Sequence, residues 1–343
     1  MITIKDIARL SGVGIATVSR VLNNTGSVSP ETYRKVMKVI SEYNYIPNSS
    51  ARNLKTTSSN QIALLVKGFS NPFFQEMIAY IKHDISLRGY TMMLHDLQNV
   101  QNELDFAIQE RRNNNTMAVI LLGGNFNYTQ KQFEDLQIPC VLLTISSKCE
   151  KERQYFSSVI VDDELEGFKA TEYLISLGHR RIGFVYYNEG DKDTPNELRY
   201  QGYLRALKEH DIPFDPNLIA QKIPSSLLGY NGYRMGFDAF NQIYSANRDI
   251  TALFCFSDIL AIGAAKAALA AGLKIPDDLS VLGFDGISAA EYFHPSLDTI
   301  RQPAKEMANA SVSLLFDMIN QNPCRHLVYD CFLLNRGSTK KTQ

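Results

Sequence analysis

From Gln61 onward the chain alternates short, almost wholly apolar runs with stretches of helical spacing, and no other feature limits its fold so sharply. The runs are "QIALLV", "YTMMLH", "AVILLG" and "PCVLLT", then a second series, "SVIVD", "RIGFVYY", "LIAQKI", "ALFCFS" and "SVLGFD". A strand with one wet face alternates apolar and polar residues. These do not, so both faces must be covered, as in parallel strands flanked by helices. Helical segments such as "FFQEMIAYIKHDISLRG" lie between them and supply the crossovers that parallel pairing requires. The two series predict an α/β core of two doubly wound parallel-sheet lobes. Ligands of such sheets bind beyond the C-terminal strand ends, here in a shared cleft.

The first sixty residues break this pattern. "GVGIATVSRVLNN", residues 12–24, opens like a dinucleotide-binding Gly-x-Gly loop, but a phosphate cradle must follow a buried strand. What precedes it is "TIKDIARLS", with Ile4, Ile7 and Ala8 at helical spacing and Thr3 and Asp6 as a start-capping pair. The expectation is a helix, a tight turn at Gly12 and a second helix whose core residues are Val18, Val21 and Leu22. A third helix is expected in "ETYRKVMKVISEYNY", capped by Ser29 with Pro30 at its first position. "IPNSSARNLKTTSSNQ" then has the composition of a linker, within which "NSSARNLK" has room for two helical turns.

Charge separates the same two regions. The 343 residues hold 35 Lys/Arg against 36 Asp/Glu, but residues 1–59 hold eight against three, a net +5, leaving −6 for the rest. A small basic unit on a mildly acidic body points to a polyanion reader joined to something else. Cys140, Cys149, Cys255, Cys324 and Cys331 occur singly, which fits reduced thiols and no metal site. "MITIKDIARL" lacks the apolar core of a signal peptide, and "TALFCFSDILAIGAAKAALAAG" contains Asp258 and Lys266, so a soluble, cytoplasmic protein without membrane contact is expected. No GxSxG, Walker loop or HExxH occurs, so neither an enzyme nor a cofactor is expected. A sugar-binding transport protein would share the core but has no use for the basic N-terminal unit.

"TIKDIARLSGV", "ATVSRVLN", "VSPETYRKV", "YNYIPNSSARNL", "GFSNPFF", "LGHRRIGFV", "LRYQGYLRAL", "FSDILAIGA", "LSVLGFDG" and "TIRQP" occur in the order found in LacI/GalR-family transcriptional regulators. The chain resembles that family over essentially its whole length. The resemblance implies an all-α helix-turn-helix headpiece at 1–46, a hinge helix at 47–59 and a periplasmic-binding-protein-like core for effector binding and dimerisation at 60–343. Within the core it implies a first lobe at about 60–160 and 288–320 and a second at about 161–287 and 321–338. It implies a homodimer on pseudo-palindromic double-stranded operator DNA, acting as a repressor, with a small sugar-like effector. The alternative is a catabolite-control regulator whose corepressor is a phosphorylated carrier protein.

The resemblance also distributes roles. Ile15, Ala16 and Arg20 would approach base edges, and Thr3, Thr17, Ser19 and Asn23 phosphates, while Gly14 replaces a common serine cap. Ala51 and Leu54 would enter the minor groove, Leu54 as a wedge, with Asn48, Ser50 and Arg52 facing backbone or groove edges. In the core, Arg199 and Asp285 would anchor the effector and Ser257 would touch it; Asp258 is either a contact or a helix cap. Phe73 and Phe74 would form an apolar wall or pack a helix start, and Phe73, Tyr186 or another ring would supply stacking. Thr144 stands where the family has an aspartate, which leaves open a smaller, less hydroxylated or negatively charged ligand. His179 reads as structural, and Asp162 and Asp163 as helix starters.

Overall fold

Among the described residues, three short helices build the N-terminal unit: α1 (Ile4–Ser11), α2 (Ile15–Asn23) and α3 (Pro30–Glu42). Gly12 turns the chain at a φ of +67°, and the Val13 N–H donates to the Ala8 carbonyl at 3.0 Å to close α1. With glycine at 14, α2 starts on backbone bonds alone, the Gly14 carbonyl accepting from Thr17 and Val18. The Ser29 hydroxyl accepts the Thr32 N–H at 3.2 Å, and Pro30 opens α3 as expected. Ile7, Ala8, Val18, Val21 and Val36 form the core, with Leu22 half-buried beside them.

The computed structural model describes residues 4–23, 28–43, 60–97, 102–124, 128–145, 152–186, 194–220 and 232–342, and divides into two compact units, Met1–Ser59 and Asn60–Gln343. In the second unit the strands are β1 (Gln61–Val66), β2 (Thr91–Asp96), β3 (Ala118–Leu122), β4 (Cys140–Leu143), β5 (Ser157–Val161), β6 (Ile182–Val185), β7 (Ile219–Ala220), β8 (Ala252–Cys255), β9 (Ser280–Asp285), β10 (Asp298–Arg301), β11 (His326–Tyr329) and β12 (Phe332–Leu334). The helices between them are α4 (Pro72–Leu87), α5 (Glu103–Asn114), α6 (Gln130–Leu136), α7 (Asp163–Ser176), α8 (Pro195–Glu209), α9 (Gly232–Ala246), α10 (Asp258–Ala270), α11 (Ser288–Tyr292) and α12 (Ala304–Ile319). They cover two six-stranded sheets, ordered β11-β5-β4-β3-β1-β2 and β12-β10-β9-β8-β6-β7.

Three expectations need correction. β10, expected in the first lobe, pairs with β9 in the second sheet, and β11, expected in the second, pairs with β5 in the first. The lobe boundaries therefore fall after β10 and after β11, because the chain changes lobe only where a strand ends. Second, β12 runs antiparallel to β10. The chain passes from β11 to β12 through Asp330 and Cys331 alone, so it enters the second sheet from its C-terminal edge, against the direction of the other strands. Third, β2 is not covered on both faces: among the described residues it pairs only with β1, and Met93 and Leu94 are exposed. No described helix is long and apolar enough to cross a membrane.

Glycines set the spacing of the helices that carry the second lobe's polar residues. α7 and α8 touch backbone to backbone: a Cβ on Gly167 would lie 2.5 Å from the Arg199 carbonyl, and one on Gly202 would overlap the Glu164 carbonyl. The first residues of both helices are thereby held side by side. Gly202→Ala should lower unfolding free energy by roughly 1–3 kcal/mol by overpacking this contact. Urea unfolding of the variant beside the wild type reads the difference.

Candidate functional site

α2 presents two faces. Val18 and Val21 point into the core, while Ile15 (45 % exposed), Ala16 and Arg20 lie on the solvent side one turn apart, with Thr17 and Ser19 half-buried at its margins. An exposed isoleucine beside an exposed arginine at the start of a surface helix suits a groove with methyl groups and acceptor edges. Thr3, Asn48, Ser50, Ala51, Arg52 and Leu54 lie outside the described residues, as does the side chain of Asn23.

In the second unit the chain passes between lobes three times: at Asp162 between β5 and α7, at Gln302 and Pro303 between β10 and α12, and at Asp330 and Cys331 between β11 and β12. Each passage leaves the C-terminal end of a strand, so those ends of both sheets meet one another. Arg199, in the first turns of α8, is buried among them. Its Nε donates to Asp163 Oδ1 at 2.8 Å and its Nη1 to the Phe256 carbonyl at 2.6 Å, and Nη1 lies 3.7 Å from Asp285 Oδ1. The guanidinium carbon sits 3.5 Å from the centre of the Phe284 ring, where the π face adds to its attraction.

Asp285 ends β9 at a φ of +109°, a conformation an aspartate holds only when its surroundings compel it. Gln302 Nε2 donates to its Oδ1 at 2.8 Å. Burial pushes the Asp285 pKa up to about 6, opposed by Arg199, Gln302 and Asn71. Asp163 is also raised, burial outweighing the attraction of Arg199. Asp258 is raised most, to about 8, by burial first and by the Asp285 charge second.

The geometry sorts the expected effector residues. Arg199 and Asp285 come together, and Ser257 caps α10 by position without spending its hydroxyl on the helix. Asp258 is fully buried, its Oδ2 accepting the Gly286 and Ile287 N–H groups at 2.8 Å each. It holds the turn behind Asp285. Phe73 is likewise core, 2 % exposed and packed on β-strand residues, whereas Phe74 is half-buried over Gly68 and Gly123. Tyr186 is buried against Tyr200, ring centres 4.7 Å apart, and offers little open face. Thr144 has a φ of +66° and a buried Oγ1 without a hydrogen-bond partner among the described residues. His179 is structural, its ring nitrogens meeting Thr251 Oγ1 and the Lys340 carbonyl at 3.0 Å, and burial lowers its pKa.

Asp163 and Gln302 escaped the sequence reading. Asp162 does start α7, accepting the Leu165 N–H at 3.1 Å, but its neighbour turns inward to Arg199. Also missed was a first-lobe cluster in which buried Glu103 meets Lys67 Nζ at 2.8 Å and accepts the Tyr128 hydroxyl at 3.0 Å. No spacing in the sequence joins these residues.

Residues 3–48 match the family described as "Bacterial regulatory proteins, lacI family", and residues 171–339 match the "Periplasmic binding protein-like domain". The HTH-type transcriptional regulator MalR of Clostridium butyricum is 40% identical over 347 residues, 98% of each chain. The chain belongs to the LacI family. The HTH-type transcriptional repressor CytR of Escherichia coli strain K12 is 33% identical over 348 residues, 98% of this chain and 96% of that one. Among solved structures, a transcriptional regulator CelR–cellobiose complex superposes with a TM-score of 0.70 at 27% identity, covering 98% of this chain and 100% of that one. The lac repressor dimer bound to operator shares the fold, with a TM-score of 0.71 at 23% identity and 99% of each chain covered. Membership makes the protein a DNA-binding transcriptional regulator that reads DNA through its helix-turn-helix unit.

Asp258 gives the core a defined pH response. It keeps its proton to about pH 8 when folded and to about pH 4 when unfolded. Between those limits the folded state holds the extra proton. The stability it confers is complete below the lower limit and is lost as pH rises toward the upper one, by about 1 kcal/mol per unit. Urea unfolding from pH 6 to 8, above the raised Asp285 pKa, should show this fall, and Asp258→Asn should flatten it there.

Proposed function

We propose that the protein binds operator DNA through α2 and changes its operator affinity when a neutral, hydroxyl-rich small molecule, a sugar in the simplest case, occupies the cleft between the two lobes. The observation that carries this reading is the buried Arg199–Asp285 pair at the C-terminal strand ends, where the three passages between lobes converge. Arg199 Nε and Nη1 are engaged by Asp163 and Phe256, which leaves Nη2 for a guest. Ser257 and Thr144, each with a hydroxyl not used by a helix cap or a described partner, add neutral donors and acceptors from either lobe.

Charge selects among ligands. Arg199 faces both Asp163 and Asp285, so a phosphorylated or carboxylated guest would meet net negative charge in a site of low dielectric. Hydroxyls donate to carboxylates without that cost, which favours the uncharged option over the anionic one. The similarity to a regulator solved with cellobiose supports the same choice.

On the DNA side, Arg20 would bond a guanine edge, Ile15 and Ala16 would contact thymine methyls, and Thr17, Ser19, Asn23 and Thr3 would hold phosphates. Asn48, Ser50, Ala51, Arg52 and Leu54 carry the minor-groove part of the proposal. A pseudo-palindromic operator calls for a dimer. Two apolar faces suit a second copy: Met93 and Leu94 on the unpaired side of β2, and a hollow of about 420 Å³ lined by Tyr233, Phe237, Ile262 and Phe293.

Thermal shift and operator titration of the full chain against neutral mono- and disaccharides, cellobiose included, and their phosphates test the effector. A neutral sugar should raise Tm and alter operator affinity, and Ser257→Ala, which removes no fold contact, should weaken both responses. A preference for the phosphates, or an unchanged Ser257→Ala protein, overturns the site. Separately, Arg20→Ala should cost about 1–3 kcal/mol of specific operator affinity while non-specific binding, measured at the same salt, falls much less.

A further inference from the structure

The first lobe carries an ion pair of its own where its strands end. Lys67 follows the last residue of β1, its N–H fixed on the Leu122 carbonyl at 3.0 Å, and Glu103 opens α5 behind its Asn102 cap. Lys67 Nζ meets Glu103 Oε1 at 2.8 Å, and the Tyr128 hydroxyl donates to Glu103 Oε2 at 3.0 Å, so both carboxylate oxygens are engaged. Glu103 and Tyr128 are buried, whereas the Lys67 side chain is 26 % exposed. Gly124, just past β3, makes the room: a Cβ there would lie 2.7 Å from the Tyr128 hydroxyl oxygen and 3.4 Å from Glu103 Cδ. β1 and β3 are neighbours in the sheet and Thr144 follows β4, the next strand, so the cluster belongs to the end of the first lobe that meets the second.

A buried ion pair gains little stability over an apolar filling of the same space, so stability alone is a poor reason for one here. With Glu103 holding it, the Lys67 ammonium has two N–H bonds left, and no acceptor for them lies among the described residues. We propose that Lys67 is the first lobe's hydrogen-bond donor to the effector, aimed by Glu103 and Tyr128 as positioning residues. The two lobes then present opposite polarity, Lys67 donating and Asp285 accepting. A hydroxyl answers both, whereas a carboxylate or phosphate only accepts, and Glu103 already cancels the charge that would draw one. A hydroxyl-rich ligand touching both walls has a higher affinity for the lobes brought together than for the lobes apart, which is what an effector needs. The assignment deepens the effector reading above and rests on it.

A double variant, Lys67→Met with Glu103→Gln, removes both charges together and leaves no buried carboxylate unpaired. Glucose, ribose, maltose and cellobiose are titrated against the full chain, and the tightest binder is carried forward with its monodeoxy analogues. The double variant should bind the parent sugar about tenfold more weakly. One monodeoxy analogue should bind the wild type about tenfold more weakly than the parent does, yet bind the double variant as well as the parent, because the missing hydroxyl has no partner there. A purely structural pair would move Tm without erasing that difference. Equal affinity of both proteins for the parent sugar, or the same deoxy losses in both, overturns the role of Lys67 and leaves the effector reading standing. Failure of all four sugars to bind the wild type counts against the effector reading itself, and the subsite falls with it. If the double variant does not fold, Lys67→Gln, which keeps an N–H for Glu103 and loses the charge, carries the same two expectations.

Discussion

A single guanidinium holds the core's polar centre together. Arg199 binds a carboxylate in the first residues after one lobe passage, a main-chain carbonyl at the end of β8 and, at longer range, the carboxylate that closes β9. Removing its charge would leave Asp163 and Asp285 buried and uncompensated, and a broken buried pair costs several kcal/mol even where the intact pair gains little. The helix contact at Gly167 and Gly202, the strained Asp285 backbone and the turn held by Asp258 all bring groups to this one side chain. Polar groups gathered in this way define a unique arrangement of the strand ends, which a purely apolar filling would not.

The same centre explains why stability and recognition share residues here. Asp285 carries a raised pKa and an unfavourable φ, costs that a simple structural role would not demand. Its hydrogen-bond partner Gln302 is a neutral amide, a donor that can be exchanged without creating or destroying charge. A hydroxyl can take the place of an amide in such a site at small net cost.

Much of this was legible in the sequence, for reasons that also explain what was not. The nine apolar runs named their strands because burial on both faces leaves an unbroken apolar signature; β10, β11 and β12, short and lying beside the passages or at sheet edges, leave none. "YTMMLH" misled for the complementary reason: its apolar residues are real, but the face they cover is open in a single chain. Arg199 and Asp285 were found through the family pattern, whereas Asp163 and Gln302 depend on which helices and passages meet in space. Asp258 and Phe73 each carried two readings in the sequence, because sequence gives position along an element and not depth; both side chains are buried. In the N-terminal unit the inward Val18 and Val21 followed from helical period, and the outward Ile15, Ala16 and Arg20 from the family pattern.

The glycine contact between α7 and α8 has a consequence for how such a regulator changes its habits. Because the two backbones touch, Asp163 and Arg199 travel as one block, and any rotation between lobes is forced into the few residues joining strands to helices. Ser257, Thr144 and Phe74 stand outside that block, half-committed or uncommitted to the fold's own bonds. Exchanging them alters what fits without altering what pivots, so a lineage carrying this core is free to change its chemical vocabulary while keeping its grammar.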